Sequence, residues 1–106
     1  MLNVKKTLTK IIDGFHGCDS SRIIDYGTAS TITPTRNGWL RVSGETDQGQ
    51  TIMPVLDIYA DGESIGRGVG LTYAGSAVQS FAPVKAGKTY VIAPYRCTVI
   101  KSVLYY

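Results

Sequence analysis

Histidine and tryptophan occur once each in these 106 residues, cysteine twice, and charged residues make up only 18% of the chain. Each scarcity closes off a class of chemistry. With His16 alone, no Ser–His–Asp or Cys–His nucleophilic arrangement can be argued. The stretch "HGCD" (residues 16–19) offers three potential ligands, with Cys97 as a fourth. That is one half-knuckle, whereas structural zinc uses paired spacings, so a turn carrying a surface histidine is expected and no metal. Paired carboxylates for acid–base work would have to come from Asp57, Asp61 and Glu63. Asp61 is accounted for by a turn and Glu63 by its place beside a hairpin. "GRGVG" (residues 66–70) lacks the Gly-Lys-Ser/Thr ending of a phosphate loop and opens no helix. Its glycines are expected at a bulge or a close approach of two backbones. The expectation is a protein that is not an enzyme and needs no cofactor.

Cys18 and Cys97 stand far apart, and no secretory apolar segment follows Met1. Two reduced thiols in an intracellularly made, soluble chain are expected, a Cys18–Cys97 disulfide being the alternative. No apolar run is long enough to cross a bilayer. The net charge of +3 traces to Lys5, Lys6 and Lys10, in a first ten residues without an acid; the remaining eight Lys/Arg are matched by eight Asp/Glu. A nucleic-acid binder concentrates positive charge on its folded surface. Neither nucleic acid nor a membrane is expected as a partner.

What is abundant is apolar: 43% hydrophobic residues, seven of them tyrosines. A chain of this length makes one domain with a modest core. Charge well below the roughly 25% of a typical globular domain implies apolar surface that a partner covers.

Two periodicities divide the chain. Val4, Leu8, Ile11, Ile12 and Phe15 recur at helical spacing, with Asn3 able to cap the start and Gly14 the end, so residues 1–15 are expected as a short N-terminal helix. Val4, Leu8, Ile11 and Phe15 also step by 4, 3 and 4, as coiled-coil seams do, so the stripe meets either a neighbouring copy or its own domain. Residues 16–106 are expected as a β-sandwich. After a turn-rich stretch holding one extended piece (22–26), strands are expected over 39–43, 55–60, 63–69, 79–84, 88–93 and 98–105. Asp61–Gly62 suits a two-residue hairpin turn, and "KAG" (85–87) turns the chain again. The fold class is all-β, an antiparallel, jelly-roll-like sandwich.

In the last strand, one face would carry Val99, Lys101, Val103 and Tyr105, the other Ile100, Ser102, Leu104 and Tyr106. Both are largely apolar, so the second face needs a cover, and a neighbouring subunit is expected through Val4, Leu8, Ile11, Val99, Val103 and Tyr105. After the Asn37–Gly38 turn, Leu40 and Val42 should point to the core while Trp39 and Arg41 face outward. Tyr73 in "LTYAGS", Tyr95 and Arg96 in "APYRC", and Trp39 are the candidate ligand-binding side chains, since loop aromatics bring contact area at small entropy cost.

Three stretches, "NGWLRVSG" (37–44), "YADGESIGRG" (59–68) and "SFAPVKAGKTYVI" (80–92), resemble a recurring module of bacteriophage tail proteins, the small β-sandwich head of tail fibres and minor virion structural proteins. The resemblance covers roughly the last 70 residues and not the helix; Lys88 stands where the pattern usually has an acid. It implies a homotrimer located in the virion, made in the host bacterial cytoplasm, in contact with other virion structural proteins and binding a host-surface glycan or protein. The alternative is a monomeric bacterial carbohydrate-binding or adhesion module of prophage origin.

Overall fold

The structure, a computed structural model, describes residues 22–106. The expected helix, with Val4, Leu8 and Ile11, and the "HGCD" stretch with Cys18 lie outside the described residues. Eight strands follow: β1 (Ile23–Gly27), β2 (Thr31–Ile32), β3 (Gly38–Thr46), β4 (Val55–Ala60), β5 (Glu63–Val69), β6 (Ala77–Val84), β7 (Tyr90–Tyr95) and β8 (Cys97–Tyr105). They form two four-stranded antiparallel sheets, ordered β1-β8-β3-β6 and β2-β7-β4-β5, a β-sandwich. Only β4 and β5 are both consecutive and paired; every other connection carries the chain from one sheet to the other.

Alternation builds the two layers. Along β6, Val78, Ser80, Ala82 and Val84 are buried and their neighbours exposed. Leu40 and Val42 of β3 face the same interior, against Leu56 and Ile58 of the second sheet, and all four are fully buried. Trp39 faces outward, as its spacing predicts. The β4–β5 hairpin turns on Asp61 and Gly62, both with positive φ (53° and 80°), the backbone that a two-residue turn of this hand requires.

The glycines of β5 serve the close approach expected of them. A Cβ on Gly66 or Gly68 would collide with the carbonyl oxygens of Phe81 or Gln79 on β6, so the edge strands of the two sheets meet backbone to backbone and shut one side of the sandwich. A register shift between Ile58 and Tyr59 also leaves Ile65 as an extra residue in β5.

Two features depart from what the sequence predicts. β2 was not foreseen; its two residues sit among turn formers and are held by pairing with Tyr90 and Val91. The turn expected at 85–87 passes the chain to β7 in the opposite sheet. In β8, Ser43 faces Lys101 and Gly44 faces Val99, leaving Ile100 as a bulge. One extra residue inverts the alternation, so Val99 turns inward and packs against the core instead of sharing a face with Val103 and Tyr105.

Val103 and Tyr105 do lie on the outer face, opposite Arg41 and Trp39, yet they are only 4% and 8% exposed. The Arg41 guanidinium stands 5.7 Å from the Tyr105 ring centroid. β8 is therefore covered on both faces from Ser102 to Tyr105, as its composition requires, but within a single chain. The step from two apolar faces to a neighbouring subunit at Val103 and Tyr105 loses its physical basis.

Candidate functional site

Register divides the molecule into two ends. Ile23, Trp39, Val84 and Tyr105 lie at one, where the chain enters β1 and where the Tyr106 amide donates to Arg22. Thr46, Ala77 and Cys97 lie at the other, with Val55, Val69 and Tyr95 side by side in the facing sheet. The connections β3–β4, β5–β6 and β7–β8 emerge at this second, distal end, while β1–β2 lies on the side of the sandwich, with Gly27 facing Ser102 and Thr31 facing Val91.

Backbone bonds fasten three of these loops together. Thr46, buried at the end of β3, takes the centre: its amide donates to Ser76 (2.9 Å), its carbonyl accepts from Gly75 (3.0 Å) and its hydroxyl donates to the Leu71 carbonyl (2.7 Å). The Asp47 amide donates to the Arg96 carbonyl (3.1 Å), and the Gly70 amide to that of Pro54 (3.1 Å). The Ser76 amide closes a turn onto the Tyr73 carbonyl (3.2 Å). With its backbone fixed in that turn, Tyr73 stands 66% exposed.

Around it the surface is apolar. Ile52 and Met53 of the β3–β4 loop, Val69, Leu71 and Tyr95 are all more than half exposed. These large apolar side chains gather at one end of the domain, whereas single scattered ones are the ordinary case. Among residues 47–54, 70–76 and 96, only Asp47 and Arg96 are charged. Asp47 accepts from the Thr98 hydroxyl (2.6 Å).

Arg96 makes the whole β7–β8 turn with φ at +59°. That left-handed backbone costs a non-glycine residue about 1–2 kcal/mol and persists only where its surroundings enforce it. Its guanidinium lies 5.1 Å from the Tyr95 ring centroid, and Nη1 donates to Gln50 Oε1 (2.9 Å). Nε is shielded from solvent and has no hydrogen-bond partner. The planar ion is thus stacked, anchored at one corner and left with donors unmet.

Tyr73, Tyr95 and Arg96, named from sequence, come together here; Trp39 does not. It sits 44% exposed at the opposite end, on an open groove of about 630 Å³ with Asn37, Ile65, Lys85 and Lys88. Asn37 Oδ1 accepts from the Ala86 amide (2.8 Å), tying two connections, and Lys88 pairs with Asp61 (2.8 Å). A second groove, about 370 Å³, opens on the side away from the glycine seam, lined by Ser30, Ile92, Cys97 and Val99. Cys97 is a buried free thiol whose pKa burial pushes up, so it is held as the unreactive thiol. Among the described residues no cluster of His, Cys, Asp and Glu could hold a metal ion.

Ile52, Met53, Val69 and Leu71 were not singled out from sequence. The signal was an aliphatic pair, "IM", inside a polar loop, where neither periodicity explains it. Comparison with known protein families, with characterised proteins and with solved structures returns no match.

Proposed function

We propose that this chain is a jelly-roll head of a phage virion structural protein, tail-fibre-like or accessory, that displays its distal loops to a host surface. The strand orders β1-β8-β3-β6 and β2-β7-β4-β5 are those of two interleaved Greek keys, an architecture that capsid and lectin domains share. The observation that carries the reading is the convergence of three loops, bearing Tyr73, Leu71, Met53 and Tyr95, at the end opposite the point where the chain enters β1. A head held at one end and offering rigid aromatics at the other is built for contact in that direction.

Labelled protein added to a panel of bacterial strains tests this. Decoration of some strains is expected, falling at least tenfold for a Tyr73→Ala/Tyr95→Ala double variant of unchanged fold. Equal decoration by the double variant, or none on any strain, overturns it. The homotrimer implied by the resemblance is part of the proposal, and light scattering reporting a monomer at high concentration removes it.

A further inference from the structure

The geometry points to the distal end as a docking surface for a polypeptide that brings an aspartate or glutamate, ringed by apolar side chains, against Arg96. This rests on the loop-display reading above and names the partner's chemistry. Three observations carry it. Arg96 is the only cation on the distal loops and pairs with no carboxylate among the described residues. Its position is already fixed by Tyr95 and Gln50, so an arriving acid need not order it. The molecule shows what such a fork does when satisfied: Arg67 holds Asp57 through Nε (2.8 Å) and Nη2 (3.2 Å), whereas the Arg96 guanidinium meets only the neutral Gln50.

The surroundings select among carriers of a carboxylate. Exposed Val69 and Tyr95 flank Val55, which pairs with both, and exposed Ile52, Met53 and Leu71 lie on the connections next to Val55 and Val69. Aliphatic side chains with tyrosine, methionine and a single arginine are the composition of protein–protein contacts. An acidic sugar would leave the aliphatics uncovered, and an anionic lipid surface is held by clusters of cations, not one. The backbone strain at Arg96 fits the same account. Glycine would relieve it, and a guanidinium kept there has a use that glycine cannot serve.

The test pans a random twelve-residue peptide library on the immobilised protein, then measures the consensus peptide by fluorescence anisotropy. The expected consensus has an acid flanked by at least two large apolar residues. Its affinity should fall at least tenfold for Arg96→Gly and for Leu71→Ser/Tyr73→Ser, and stay unchanged for Lys85→Gln. Arg96→Gly should melt no lower than the parent, which separates lost binding from lost fold. A consensus without an acid, no consensus, or undiminished affinity in Arg96→Gly overturns the inference. So does binding confined to acidic glycans on an array or to anionic vesicles, although loss of that glycan binding in Tyr73→Ala would leave the loop-display reading standing.

Discussion

Small side chains decide the middle of this sandwich. Ser102 and Ser80 flank Val42 on adjacent strands, both fully buried, and neither hydroxyl has a hydrogen-bond partner. A buried hydroxyl without a partner loses its water and gains nothing, at about 1 kcal/mol or more. Ser102→Ala should therefore raise stability by about 1 kcal/mol in urea denaturation; a loss of that size would show that the hydroxyl has a partner. Gly68 is the opposite case. A methyl there meets the Gln79 carbonyl oxygen and not a flexible side chain, so the two strands would have to part. Gly68→Ala is expected to cost about 3 kcal/mol, as overpacking against backbone does, measured by the same denaturation. The spacing of the three glycines in "GRGVG" announced such an approach, but not the strand they would meet, because that strand lies in the other sheet.

Elements were legible where one local rule ruled. β4 and β5 match their expected bounds because a two-residue turn with positive φ fixes where the hairpin reverses. β8 was legible as a strand but not in its facing, because a bulge belongs to a pair of strands and no single strand announces it. The loops follow the same division. Tyr95 and Arg96 were named as a pair, while the apolar residues around them lie on two other connections that only the register brings together. On the outer face of β4, the Asp57 carboxylate is buried while its partner Arg67 is 60% exposed on its side chain. The Arg67 hydrogen bonds, helped by Ser64, hold the Asp57 pKa below the usual carboxylate range. Since the folded pKa is the lower one, this contribution is complete above about pH 4 and is lost as pH falls through the folded value. Asp57→Asn should cost about 1–2 kcal/mol at neutral pH and flatten the acid limb of a stability–pH curve. At the distal end, Thr46→Val keeps the shape of the side chain but deletes the bond to Leu71. A loss of about 1 kcal/mol is expected, with faster amide hydrogen exchange in residues 70–76.

At the scale of the molecule, the two ends differ in character. One binds its connections together through Asn37 and the Lys88–Asp61 pair; the other is braced by backbone bonds and leaves its side chains outward. Cys97 lies between the sheets near that distal end, and its thiol is expected to react with a disulfide reagent only as fast as the sandwich opens. Labelling of Cys97 in native protein at the rate of a free peptide thiol would show that the side groove exposes it. β8, synthesised after the other seven described strands, lies between β1 and β3. As the nascent chain leaves the ribosome, β1 has no neighbour among the described strands of its sheet until residues 97–105 follow it out. β1 must therefore wait, without its β8 partner and open to chaperones or to stray edges, until β8 arrives.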